Sequence, residues 1–98
     1  MTVWLVSRHP GAVEWARRQG LAIDRLVAHL DLGEVRAGDT VIGTLPVHLA
    51  GQVCAAGARY LHLSLDLSPA HRGRELDADD LERCNARLEE YHVQRAGD

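Results

Sequence analysis

The sequence predicts an α/β domain built on a mostly parallel four-stranded sheet, in the order β-α-β-β-α-β-α. Three observations carry that expectation. Short apolar and β-branched runs recur at 2–7 (TVWLVS), 25–30 (RLVAHL), 39–43 (DTVIG) and 58–65 (ARYLHLSL). Stretches of helical composition separate most of them, and such alternation favours right-handed crossovers and parallel pairing. Prolines and glycines punctuate the chain where helices would start and stop.

The first strand, 2–7, is compact and aromatic. Arg8-His9-Pro10-Gly11 breaks it, and residues 12–19 are helical in composition, with Gly20 where a helix-closing glycine belongs. The second strand, 25–30, is weaker, because Ala28 and His29 are poor strand formers. Residues 31–38 make a polar connector ending in an Ala-Gly-Asp turn. After the third strand, 39–43, Thr44-Leu45-Pro46 opens a helix expected to run to Ala56 and to be closed by Gly57. The fourth strand, 58–65, leads into an arginine-bearing loop at 68–75. A last helix starts at Asp77, where Asp77 and Asp80 resemble a capping box and Leu76 and Leu81 take the staple positions. Leu81, Cys84, Leu88 and Tyr91 recur at helical spacing, so this helix is expected to reach Tyr91, with a frayed tail after Val93. The result is a Rossmann-like three-layer domain spanning 1–98, with helices after the first, third and fourth strands.

Composition narrows the function. With 46% hydrophobic and 26% charged residues the chain is globular rather than disordered. A net charge of −3 supplies no bulk field for duplex nucleic acid, so a polyanion must be held by a local cluster. All eleven basic residues are arginine. Schiff-base, lysine-base and P-loop chemistry are thereby excluded, and phosphate contacts fall to Arg, His and backbone amides. Cys54 and Cys84 sit in helical, apolar stretches without a CxxC spacing and read as buried free thiols. Met1–Val6 is too short and lacks the basic flank of a signal peptide, so a cytoplasmic protein with no membrane partner is expected.

All three prolines follow strands. Pro10 and Pro46 mark two helix starts at the carboxyl edge of the sheet, where open α/β sheets bind ligands and free helix N–H groups favour phosphate. Ser7 and Thr44 by themselves are ordinary capping residues. Beside Arg8 and His9 they suggest an anion site made of Ser7, Arg8, His9, Gly43, Thr44, Leu45 and Pro46. Arg8 can clamp a phosphate, and His9 can transfer a proton near neutral pH. Neither loop is a P-loop or a GxGxxG fingerprint. In the fourth strand Tyr60, His62, Ser64 and Asp66 alternate with leucines, which suggests an edge or partner-facing strand and places Ser64 and Asp66 near the crevice. Arg72 and Arg74 flank Gly73 in a loop able to act as a lid. His29 and His62 read as structural strand residues, His48 as a weaker crevice residue, and His71 and His92 as solvated surface. No histidine spacing suits a metal.

Taken as blocks, SRHPG, VAHLD, GDTVIGTLP, YLHLSLDL and RGREL resemble a small family of accessory proteins found with type III CRISPR systems. That family is related in fold to the CRISPR-associated Rossmann-like sensor domains and is regarded as ring nucleases. The resemblance runs from Thr2 to about Val93. It implies a homodimer that binds cyclic oligoadenylate, chiefly the tetra-adenylate, and linearises it without metal or cofactor. Attack by a ribose 2′-hydroxyl would leave a 2′,3′-cyclic phosphate end and switch off the antiviral signal. The resemblance assigns no catalytic residue, so Arg8 and His9 as catalytic groups rest on the strand-end reading alone. Two alternatives remain open: a sensor or sequestering protein that binds without cutting, and a structural subunit of a CRISPR effector.

Overall fold

The computed structural model describes residues 1–71 and 73–97. Five strands, β1 (Val3–Val6), β2 (Arg25–Val27), β3 (Thr40–Gly43), β4 (Arg59–Ser64) and β5 (Arg87–Tyr91), form one sheet in the order β2-β1-β3-β4-β5. β1 pairs in parallel with β2 and β3, and β3 in parallel with β4, whereas β5 lies antiparallel to β4 at the edge. Helices α1 (Pro10–Arg18), α2 (Val47–Ala55) and α3 (Ala78–Arg83) follow β1, β3 and β4. Short 3-10 turns cover Leu32–Glu34 and Pro69–His71.

Strand alternation decides which face each helix covers. Leu5, Ile42 and Leu63 point one way and pack with Ala12, Trp15 and Ala16 of α1 and Ala78 and Leu81 of α3. Trp4, Val41 and Tyr60 point the other way, onto Ala50 and Val53 of α2 and Val35 of the β2–β3 connector. Isolated helices of nine residues, the length of α1 and α2, are marginal in water, so these two apolar layers hold them in place.

Beneath Trp4 the buried Asp39 carboxylate accepts hydrogen bonds from the Thr2 N–H (2.9 Å), the Arg36 N–H (2.9 Å) and Trp4 Nε1 (3.2 Å). The Arg36 and Thr2 amides hold its carboxyl below the ordinary aspartate value. A lowered folded-state pKa gives stability that is present above the unfolded value of about 3.9 and lost as pH falls through the folded value. The melting temperature is therefore expected to drop as pH is lowered from about 5 to about 2, and Asp39→Asn should reduce that drop. An unchanged acid slope in the variant would assign the effect to other carboxylates.

All three helices close in one way. After α1, Gly20 N–H donates to Arg17 O (3.0 Å) and Leu21 N–H to Ala16 O (3.1 Å). After α2, Gly57 donates to Cys54 O (3.0 Å) and Ala58 to Val53 O (3.2 Å). After α3, Asn85 donates to Glu82 O (3.2 Å) and Ala86 to Leu81 O (3.0 Å). This paired closure needs a left-handed residue, supplied by Gly20 (φ 72°), Gly57 (φ 87°) and Asn85 (φ 57°).

The third closure corrects the sequence reading. The capping box of Asp77 and Asp80 is present, but the last helix stops at Arg83 instead of Tyr91. The sheet consequently has five strands instead of four, and its last pair is antiparallel. Once Asn85 turns the chain, Leu88 reaches the α1/α3 layer as a strand residue, and Arg59 Nη2 pairs with Glu90 Oε1 across the edge at 2.8 Å. β4 is thus an inner strand. β2 is also shorter than expected, ending at Val27, and His29 lies in a bend. Pro10 takes the first position of α1, whereas Pro46 is the N-cap of α2 and stands outside its first turn.

Candidate functional site at the carboxyl ends of two parallel strands

β1 and β3 are neighbours, yet the chain leaves them in opposite directions. α1 leads outward to β2 on one face, and α2 leads to β4 on the other. Where adjacent connections diverge in this way a crevice opens at the strand ends. The Val6↔Gly43 pairing puts the loops after both strands side by side on the same edge. A crevice of about 230 Å³ lies there, on the α1/α3 side. Ser7, His9, Gly43, Thr44, Arg74 and Glu75 line it above Leu5, Leu63 and Leu65. At Gly43 a Cβ would stand 2.9 Å from Val6 O, so a side chain is excluded where the two strands meet under the crevice.

Ser7 Oγ accepts from His9 N–H at 3.1 Å and bends the chain into α1. His9 is the N-cap of α1, but its side chain caps nothing. Its Nδ1 lies 3.6 Å from Glu75 Oε1, both groups being about two-thirds exposed at 66% and 65%. Backbone packing sets that pair. A Cβ on Gly11 would stand 2.1 Å from Leu76 O and 2.9 Å from Asp77 Cα, so the first turn of α1 touches the segment entering α3 directly and carries Glu75 beside His9.

Arg74 is partly committed. Its Nη2 donates to Asp80 Oδ1 at 3.1 Å, which also accepts from Arg83 Nη1 at 3.3 Å. The Asp77 amide of the capping box, then the two arginines, hold the Asp80 carboxyl below its usual range. Arg8 is exposed, and its side chain makes no hydrogen bond or ion pair among the described residues. The Thr44 hydroxyl is likewise uncommitted among them.

The structure therefore gathers Ser7, His9, Gly43, Thr44 and Arg74 at one crevice, with Arg8 next to two of them in the chain. The other candidates are not brought to it. Leu45 packs into the α2 layer, and Pro46 caps α2. Ser64 shares the face of Tyr60, and Asp66 accepts from Asn85 Nδ2 (3.2 Å) and Arg87 Nη1 (3.1 Å), contacts that lower its carboxyl pKa. Arg72 lies outside the described residues. Sequence reasoning does not single out Glu75, because nothing local ties it to His9; only the close packing at Gly11 does. Nor does it single out Tyr60, whose signal is an aromatic hydroxyl on the polar side of an alternating strand.

A larger groove of about 910 Å³ runs between α2 and residues 92–95, with His48 and His92 in its wall. It is mostly apolar and, although Arg95 is in its wall, lacks the grouped hydroxyls and the His–Glu pair of the smaller crevice, which is the better place for chemistry. Cys54 and Cys84 are free thiols, and His71 Nδ1 lies 2.8 Å from Ser68 Oγ. Among the described residues no group of three or more His, Cys, Asp or Glu is placed to hold a metal ion, and no helix is long and apolar enough to cross a membrane.

No curated protein and no solved structure matches the chain. A family model described as "Putative CRISPR-associated protein (Cas_VVA1548)" matches residues 4–94. The matched span runs from β1 through β5 and includes both strand-end loops and the Gly11–Leu76 contact, and the chain belongs to this CRISPR-associated family.

Proposed function

We propose that this protein is a type III CRISPR ring nuclease. It binds cyclic oligoadenylate, chiefly the tetra-adenylate, and linearises it without a metal ion, working as a Rossmann-like homodimer. Family membership supports the CRISPR setting, and the matching sequence blocks support the ring nuclease reading. The observation that carries the chemistry is the grouping at one crevice of an imidazole beside a carboxylate (His9 and Glu75), two hydroxyls (Ser7 and Thr44) and the Arg74 guanidinium, with Arg8, exposed and without a side-chain partner among the described residues, between Ser7 and His9 in the chain.

In this reaction a ribose 2′-hydroxyl attacks the adjacent phosphorus and gives up its proton. The bond to the 5′-oxygen breaks, and that oxygen takes a proton. The products are a 2′,3′-cyclic phosphate and a 5′-hydroxyl, so no external water or cofactor is consumed. Such a step depends mainly on in-line positioning and on stabilising charge at phosphorus. Arg8 meets the non-bridging oxygens with charge-assisted hydrogen bonds. His9 transfers a proton, and Glu75 keeps its ring turned towards the crevice.

Size supports the dimer. A crevice of about 230 Å³ is smaller than the roughly 300–1,000 Å³ that encloses drug-sized ligands, and a cyclic tetranucleotide is larger still. Two copies about a two-fold axis offer two such crevices to a ligand that is itself symmetric.

The test is single-turnover cleavage of radiolabelled cyclic tetra-adenylate in EDTA, with protein in excess and over a dilution series. A linear product ending in 2′,3′-cyclic phosphate is expected, with the rate per protomer falling on dilution. Stoichiometric binding without product would favour a sensor or sequestering protein. Absence of binding, with co-purification in an effector complex, would favour a structural subunit.

A further inference from the structure

We infer that Tyr60 is a positioning residue for the crevice: its hydroxyl closes the turn that presents Thr44, and it holds His62 in the Nδ1–H tautomer. The role assigned to Thr44 rests on the proposed function, whereas the hydrogen-bond arrangement is testable without it.

Tyr60 belongs to the α2 side of the sheet, opposite the crevice, and is 3% exposed. Its hydroxyl accepts from Leu45 N–H at 2.9 Å, reaches Gly43 O at 3.1 Å and lies 2.7 Å from His62 Nδ1. Gly43 and Leu45 are the two neighbours of Thr44. One phenol oxygen therefore ties both ends of a three-residue turn from behind, and the middle residue is left to face the other side of the sheet, where it lines the crevice. Among the described residues no backbone hydrogen bond closes this turn, so its shape depends on a side chain fifteen residues from Leu45.

The proton count fixes the tautomer. A phenol has one proton to give and two lone pairs to fill. Burial pushes the Tyr60 pKa up, so the phenol stays protonated near neutral pH. Leu45 N–H fills one lone pair. If the phenol proton goes to Gly43 O, the second lone pair is filled only when His62 carries its hydrogen on Nδ1, and all four groups are then satisfied. If the proton goes to His62 instead, Gly43 O loses this bond in a buried setting, which is the costlier arrangement. The tautomer of a histidine is set by such a partner. The Tyr91 ring, its centroid 5.9 Å from that of the imidazole and its plane at 90° to it, also packs against His62.

Tyr60→Phe keeps the ring and removes only the hydroxyl. In ¹⁵N NMR at a pH of about 8.5, above the usual imidazole range, wild-type His62 should carry its proton on Nδ1, and the variant should move towards Nε2–H. Amide exchange at Leu45 should rise by about tenfold or more in the variant. In single-turnover cleavage of cyclic tetra-adenylate the variant should lose about tenfold in rate while its affinity changes less than about threefold. In a Thr44→Ala background Tyr60→Phe should add little further loss, because the two act through one turn. An Nε2–H imidazole in the wild type, or unchanged Leu45 exchange in the variant, overturns the clamp. Independent, multiplying rate losses overturn its link to Thr44. If wild-type protein cleaves nothing, the proposed function fails, and the two NMR readings still decide the clamp.

Discussion

Gly11→Ala is expected to lower the melting temperature by about 12–24 °C, from an overpacking cost of about 3 kcal/mol at roughly 4–8 °C per kcal/mol in a domain of this size. The added Cβ would stand 2.1 Å from Leu76 O and 2.9 Å from Asp77 Cα. Both are backbone atoms, so no rotamer change relieves the clash. Relief requires moving α1 away from the segment entering α3, and that opens the layer in which Trp15 and Ala16 meet Ala78 and Leu81. Gly20→Ala is the control. Gly20 has φ 72°, and a Cβ there would meet nothing within 4 Å, so only the left-handed conformation is penalised, at about 1–2 kcal/mol. Melting curves of the two variants separate the causes. Should Gly11→Ala melt as high as Gly20→Ala, the direct α1–α3 contact that brings Glu75 to His9 is wrong.

The glycines that close helices show what the sequence reveals about this fold. Gly20 and Gly57 announce helix ends openly, because glycine alone adopts a left-handed conformation at little cost. Asn85 performs the same closure, yet asparagine also occurs in many other places, and the spacing of Leu81, Cys84, Leu88 and Tyr91 continues the helical period through it. Local pattern therefore favours a long helix, and tertiary structure overrides it: β4 offers an unpaired edge, and Leu88 completes the α1/α3 layer only from a strand. The parallel strands are legible for the opposite reason. β1 and β3 are short, apolar on both faces and followed at once by Pro-containing helix starts, so local and long-range preferences agree.

The candidate site is legible to the same depth. That the loops after β1 and β3 share an edge follows from the alternation of strands and helices, and it brings Ser7, His9 and Thr44 together. Which face of the sheet a residue serves depends on strand register. The polar stripe Tyr60, His62, Ser64 and Asp66 looks like crevice lining when β4 is read alone. In the fold it turns to the α2 side, where Tyr60 reaches the site only through the turn at Thr44. The pairing of His9 with Glu75 spans a sequence separation that no periodicity encodes.

His9→Ala is expected to reduce the single-turnover rate of cyclic tetra-adenylate cleavage by about 10²–10⁴-fold, the usual worth of general acid–base help, while changing affinity far less. Proton transfer matters only in the transition state, so its loss should appear in the rate with protein in excess and not in binding. Arg8→Ala should behave differently. A fixed cation interacts with the phosphate before and during the reaction, so affinity and rate should fall together, each by about tenfold to a hundredfold if a charge-assisted hydrogen bond is lost. Arg74→Ala offers a comparison: its guanidinium is already held by Asp80, so its loss should cost less than that of Arg8, which has no side-chain partner among the described residues. The measurement is single-turnover cleavage beside direct binding for all three variants. If His9→Ala cuts at the wild-type rate, the imidazole has no part in the reaction, and His9 contributes only the backbone N–H that donates to Ser7 Oγ where the chain turns into α1. The reaction would then rest on the Arg8 charge and on placement by Ser7 and Thr44, whose hydroxyls flank the Val6↔Gly43 pair at the head of the crevice.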